Sequence, residues 1–198
     1  MLLSNSIAVS QRVPLILRTS RRRNAVVLAQ QNQPQQQLTV TSAFPSLTIS
    51  DEALTSRGFN LHRTIDSLNL DHLNSVFVAV GFPRRDTDKI RVALEHTDAL
   101  LWIEHQKTKR PVAFARATGD GVFNAIIWDV VVDPSYQGLG LGKAVMERLV
   151  NDLLAKGINN IALYSEPRVL GFYKPLGFVS DPDGIRGMVY SRKQKNKR

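Results

Sequence analysis

From Val130 to Ala144 the chain runs from a β-branched stretch through a proline into alternating glycines and then an amphipathic helix. The order is Val130-Val131-Val132-Asp133-Pro134-Ser135-Tyr136-Gln137-Gly138-Leu139-Gly140-Leu141-Gly142-Lys143-Ala144. A strand that passes so quickly into a helix forces the chain to turn at the end of a sheet. Glycines at alternate positions remove the Cβ atoms that would hold an anionic ligand off the backbone. The start of the helix adds N–H groups without internal acceptors and the positive end of its dipole. Such a turn cradles a phosphate or pyrophosphate without many cationic side chains.

Spacing discriminates among phosphate cradles. A Walker A loop requires G-x-x-x-x-G-K-[ST], which would place a glycine at Gln137 and a hydroxyl at Ala144. A dinucleotide fingerprint, G-x-G-x-x-G/A, accepts Gly138 and Gly140 but meets Lys143 at its third small position. What remains is Q-x-x-G-x-G from Gln137 to Gly142, which resembles the acetyl-CoA motif of the GNAT superfamily of N-acetyltransferases, R/Q-x-x-G-x-G/A. A second block strengthens the resemblance. After the strand-like Ile158–Tyr164, Phe172-Tyr173-Lys174-Pro175-Leu176-Gly177-Phe178 looks like the family's last helix and turn, whose tyrosine is the usual general acid.

Charge is distributed unevenly. Residues 1–50 hold five arginines and no acid, residues 191–198 hold five cations, and the stretch between carries 16 basic and 17 acidic residues. A near-neutral middle argues against a specific nucleic-acid module. No apolar run is long enough to span a membrane. The four histidines, His62, His72, His96 and His105, lack metal-ligand spacing, and the absence of cysteine excludes disulfides and thiolate metal sites. The acid-poor, hydroxylated, arginine-containing leader fits an organelle transit peptide, with processing near residues 24–37 and a disordered linker ending at 37. An N-acetyltransferase domain over 38–190 and a basic tail over 191–198 complete the expected organisation. Oligomeric state is not encoded in any pattern here.

Along the domain, 38–49 and 58–63 are expected to supply an edge strand. Asp66-Ser67 is expected to cap a helix through Val80, and Asp86 or Thr87 a second helix through Leu94. Strands follow at 99–105, 112–117 and 124–132, then a helix over 142–155, a strand over 158–164, a helix over 168–176 and a final strand at 188–190. The GNAT resemblance implies a mixed α/β fold whose central, mostly antiparallel sheet is flanked by helices and splayed at the acetyl-CoA strand.

The chemistry implied is acetyl transfer from acetyl-CoA, as cosubstrate, to an amine, with no metal. The cofactor-binding set is Val130, Val131 and Val132, along which the resemblance lays the pantetheine arm, together with Gln137, Gly138, Leu139, Gly140, Leu141, Gly142 and Lys143 around the pyrophosphate. Tyr173 is the candidate acid, because a phenol of pKa ~10 stays protonated and can donate to a thiolate of pKa ~8.5. Asp129 is the candidate base. It interrupts an apolar strand, and the expectation is that burial raises its pKa toward a useful range or that a water relays the proton; capping of nearby backbone is the alternative. Glu166 is expected either to bind a cationic amine or to favour the helix dipole. Trp128, expected on the opposite side of the strand from Asp129, either stacks on an aromatic amine or fills the core. Val80-Gly81-Phe82-Pro83-Arg84-Arg85 and Ile127-Trp128-Asp129 resemble plastid GNAT enzymes of plants, a group described as serotonin N-acetyltransferases, several of which also acetylate lysines or protein N-termini. The resemblance therefore implies a chloroplast enzyme acting on an arylalkylamine such as serotonin, toward melatonin. Protein amines are the alternative acceptor, and a non-catalytic acyl-CoA-binding module a minor alternative.

Overall fold

A computed structural model of the chain describes residues 46–188. Five strands lie in chain order across one sheet: β1 (Phe59–His62), β2 (Ala99–His105), β3 (Arg110–Gly119), β4 (Asn124–Val132) and β5 (Asn160–Leu163). β1 to β4 form an antiparallel meander, and β5 joins β4 in parallel after the crossover helix α4 (Leu141–Ala155). The remaining helices are α1 (Asp51–Ser56), α2 (Leu70–Ala79), α3 (Thr87–Glu95) and α5 (Leu170–Tyr173).

Side-chain alternation along β2 and β3 builds a core on each face. On one face Leu101, Ile103, Ala113, Ala115 and Ala117 meet Leu141, Val145, Met146 and Leu149 of α4. On the other, Leu100, Trp102 and Phe114 meet Leu73 and Phe77 of α2 and Ile90 and Leu94 of α3. Each large side chain buried this way contributes about 1.5–3 kcal/mol. Trp102, fully buried, keeps its indole N–H satisfied on the Thr64 carbonyl at 2.8 Å.

β4 changes face midway. Arg116 lies opposite Trp128 and Phe114 opposite Val131, so Ala115 on β3 is matched by two residues, Asp129 and Val130. This is a β-bulge, and Asp129 sits in it at φ +54°. Before the bulge Ala125 and Ile127 point into the α4 core; after it Val130 and Val132 do, while Val131 joins the α2–α3 core. Pairing with β5 ends at Ile127, so Trp128–Val132 part from it and the sheet splays as the resemblance implied.

Two charged residues inside α4 are buried and bind the segment before α1. Glu147 accepts from the Thr48 N–H at 2.8 Å and from its hydroxyl. Arg148 is 2% exposed; its guanidinium donates to Asp51 Oδ1, to the Ile49 carbonyl at 2.7 Å and to the Ala144 carbonyl at 3.0 Å.

Several expectations are corrected. Residues 46–49 form no strand and Asp51–Ser56 is a helix, because Ser50 caps it through its hydroxyl. Asn69, not Asp66 or Ser67, caps α2, its Oδ1 accepting from His72 N at 2.9 Å. The helix expected over 168–176 is broken into short turns around α5, Pro175 having no N–H to continue one. Met188 is not in a strand, and Val189 and Tyr190 lie outside the described residues, as do the expected leader and linker over 1–37 and the tail over 191–198.

Arg148→Ala should lower the unfolding free energy by about 3 kcal/mol, because it removes a buried charge that several oxygens depend on. Arg148→Met, which keeps apolar volume, should lose less. Urea unfolding midpoints of the two variants check the order.

Candidate active site

The splay of β4 from β5 opens a cleft of about 1090 Å³. Its walls are β4 from Ile127 to Val132, the turn into α4, the segment after β5 with α5, and the α2–α3 connection. Of the site residues expected from the sequence, Trp128, Asp129, Val130, Val131, Val132, Gln137, Gly138, Gly140, Leu141, Gly142, Lys143, Glu166 and Tyr173 all line it. Leu139 does not; its carbonyl accepts from Arg57 Nη2 at 2.8 Å, which pins the turn from outside.

The turn has the conformation its glycines foreshadowed. Gly138 and Gly140 adopt φ +76° and +81°, left-handed values disfavoured for residues with a Cβ. A Cβ on Gly140 would also come within 2.9 Å of Ile49 Cδ1. With Gly140 as N-cap, Leu141, Gly142 and Lys143 begin α4, so their N–H groups have no intrahelical acceptor and open toward the cleft lining. The Gln137 side-chain amide donates to the Val132 carbonyl at 3.1 Å and closes the turn on the strand. The Asp133 N–H donates to Val112 on β3 at 2.8 Å. By alternation the N–H groups of Val132 and Val130 face the open edge and that of Val131 faces β3. Left-handed glycines, bare helix-start amides and an open strand edge together suit a diphosphate joined to an extended arm, which is the shape of coenzyme A.

Asp129 departs from expectation in two ways. Trp128 Nε1 donates to the Thr118 hydroxyl at 2.9 Å, and the Asp129 carboxylate meets Arg116, two residues back on the same face of β3. The bulge therefore turns both side chains to one face instead of opposite faces. Arg116 Nε donates to Asp129 Oδ2 at 2.7 Å and Arg85 Nη2 to Oδ1 at 2.9 Å. Burial pushes the carboxyl pKa up, but these two guanidinium partners outweigh it and hold the group below the usual carboxylate range. The expected raised pKa is thus reversed, because the sequence position of Asp129 disclosed its burial and not its partners.

Tyr173 lies across the cleft, its ring edge-on to Phe172 at 4.9 Å and to Phe178 at 6.0 Å. Burial raises its pKa, so the phenol stays protonated well beyond neutral pH. Glu166 stands at the rim, 62% exposed and paired with Arg168, and makes no capping bond to the short turn it precedes. Trp128 pairs with Tyr164, ring centroids 5.7 Å apart. Arg85, Arg116, Tyr164 and Phe172 escaped the sequence reading. Arg116 had a legible signal: it is a charge inside the apolar run of 112–117, as Asp129 is inside the next strand. Among the described residues no acidic and histidine groups gather for a metal ion, and no helix is long and apolar enough to cross a membrane.

Residues 67–178 match the Acetyltransferase (GNAT) family. The chain is 79% identical over 154 residues to GCN5-related N-acetyltransferase 1, chloroplastic, of Arabidopsis thaliana, covering 78% of each protein. It is 58% identical over 148 residues to serotonin N-acetyltransferase 2, chloroplastic, of Oryza sativa subsp. japonica, covering 73% of this chain and 74% of that one. Among solved structures, an acetyltransferase of Trypanosoma brucei superposes with a TM-score of 0.57 at 26% identity, over 68% of this chain and 99% of that one.

Gly140→Ala should destabilise the fold by about 1–2 kcal/mol and weaken acetyl-CoA binding at least about tenfold by tilting the helix start, measurable by calorimetry. Because the native pKa of Asp129 is depressed, its stabilisation is complete above the ordinary carboxylate range and is lost as pH falls through the native value. The stability gap between wild type and Asp129→Asn should therefore narrow on acidification below about pH 4.

Proposed function

This chain belongs to the GNAT acetyltransferase family, and on that premise we propose that it transfers the acetyl group of acetyl-CoA to an arylalkylamine such as serotonin, a step toward melatonin. The observation that carries this reading is the aromatic wall of the cleft: Phe82, Trp128, Tyr164 and Phe172 line it, with the Glu166 carboxylate at its rim. Flat rings stack on an aryl group, and the carboxylate attracts the ammonium at the other end of a short side chain. The name of the rice relative, a serotonin N-acetyltransferase, supports the same acceptor. Both plant relatives are named chloroplastic, in keeping with the plastid location that the leader implies.

In this reading GNAT enzymes' cosubstrate, acetyl-CoA, is held by the helix-start amides of Leu141–Lys143, and its thioester lies along the open edge of β4. The Val130 and Val132 amides are placed to stabilise negative charge on the thioester oxygen. The ammonium gives up its proton to bulk water at the open mouth while Glu166 orients it. The free amine nitrogen then attacks the thioester carbon, and the carbon–sulfur bond breaks. The departing thiolate takes the phenolic proton of Tyr173, which burial keeps in place until that moment, and the N–H proton that the nitrogen sheds as the amide forms passes through water to restore the phenol. Asp129, with both carboxylate oxygens engaged by arginines, is ill suited to take the amine's proton directly.

A second acceptor class, lysine side chains and N-terminal amines of proteins, is favoured by the exposure of the rim. Tyr164 is 54% exposed and Arg168 is 74% exposed, so a residue presented by a larger partner can enter. Acetyl-CoA consumption with serotonin, tyramine, spermidine and short peptides separates the two. Faster turnover of serotonin and tyramine is expected; turnover of peptides alone would replace the first acceptor with the second. Tyr173→Phe should lower kcat by roughly 10²-fold or more with acetyl-CoA affinity nearly unchanged.

A further inference from the structure

The Asp129 bulge is held from two sides by groups that have no assigned part in catalysis. We propose that Arg85 and Arg116 are positioning residues for acetyl transfer: by clamping the Asp129 carboxylate they hold the bulge that turns the Val130 and Val132 amides to the open edge of β4. The inference rests on the acetyl-transfer reading of this cleft.

A left-handed, non-glycine residue within a strand is disfavoured and persists only where its surroundings over-determine it. Here the determinants are specific. Arg116 reaches across from β3, its other arm donating to the Thr97 hydroxyl at 3.3 Å. Arg85 comes from the α2–α3 connection, where fully buried Asn74 holds its main chain on both sides, accepting from Arg85 N at 3.1 Å and donating to Arg85 O at 2.6 Å. Its guanidinium also lies 4.8 Å from the Phe77 ring centroid and 5.8 Å from that of Phe82. Among the described residues both side-chain hydrogen bonds of Asn74 go to this one residue, which places it in the same device.

Packing alone does not hold Asp129. A cavity of about 280 Å³ lies against it on the α3 side, bounded by Arg85, Arg116, Phe114 and Ile90. With space beside it and without the clamp, the extra residue can be absorbed by a one-residue slip against β3. A slip by one reverses every side chain and every amide beyond it. Val130 and Val132 would then point their N–H groups at β3 and leave the thioester oxygen without donors. Arg85 also lines the cleft beside Phe82 and Pro83, so its bond to Asp129 ties the acceptor wall to the donor strand.

The test uses the full chain with Arg85→Gln, Arg85→Lys, Arg116→Gln and Asp129→Asn, each checked for folding by thermal melting. Expected are a kcat lowered about tenfold or more in each, an amine KM within about threefold of wild type, and acetyl-CoA binding weakened severalfold by calorimetry. Arg85→Lys should rescue only in part, since an ammonium lacks the planar fork. Arg85→Gln combined with Asp129→Asn should lose no more than the worse single variant, as expected for residues acting as one unit. Wild-type kcat and acetyl-CoA affinity in a folded Arg85→Gln protein would overturn the proposal. So would loss of the acidic limb of the pH–rate profile in Asp129→Asn alone, with the arginine variants at full rate, which makes Asp129 the base. Should the wild type turn over no amine at all, the acetyl-transfer reading fails by itself, and the calorimetric comparison still decides whether the clamp shapes the strand.

Discussion

An ionised carboxylate inside a strand, gripped by two guanidinium groups, sets the geometry on which everything else at this end of the sheet depends. Asp129 is the extra residue of the β4 bulge, and the bulge does three things at once. It exchanges which valines face which core, it ends pairing with β5 at Ile127, and it directs two main-chain amides into the space thus opened. Burying the carboxylate without partners would be unfavourable by several kcal/mol, so the arginines are conditions for the bulge to exist. Their effect on acidity follows: the group stays charged across the range where such an enzyme works, and its chemistry is structural attraction instead of proton exchange.

The two ends of the cleft are built on different principles. The cradle end is made of main chain: left-handed glycines, the first amides of α4 and a strand edge, all fixed by packing of α4 against small residues of β3. Such a surface suits a phosphate chain and an extended arm by shape and dipole, whatever is attached to the far end. The acceptor end is made of side chains, aromatic on the walls and charged at the rim, with several half open to solvent. Constant donor and variable acceptor chemistry are thereby divided between backbone and side chains, as expected where function is grafted on a common scaffold.

Much of the donor half was legible in the sequence because its determinants are local. The spacing of Gln137, Gly140 and Gly142 and the apolar run before Asp133 are features of adjacent residues, and the strand–turn–helix followed from them. Tyr173 was likewise flagged by its immediate neighbours. What escaped depends on pairs far apart in the chain. Nothing near Asp129 discloses that Arg85, forty-four residues earlier, will lie on its carboxylate. The same holds for Arg148 and Asp51, ninety-seven residues apart. Bulges are also invisible to period-two patterning: β4 reads as one continuous strand whichever way its halves face. The cap of α2 was misplaced for a smaller reason, three polar candidates within four residues, of which only Asn69 accepts from a free amide of the first turn, that of His72.

The segment from Thr48 to Arg57 has a bearing on how far the domain can be trimmed. Thr48 and Ile49 satisfy Glu147 and Arg148 deep under the crossover helix, and Arg57 grips the glycine turn from behind. Trimming past these residues would strand the Glu147 and Arg148 side chains in an apolar interior and free the glycine turn from its outer brace. The near edge of this brace is written in the charges of α4.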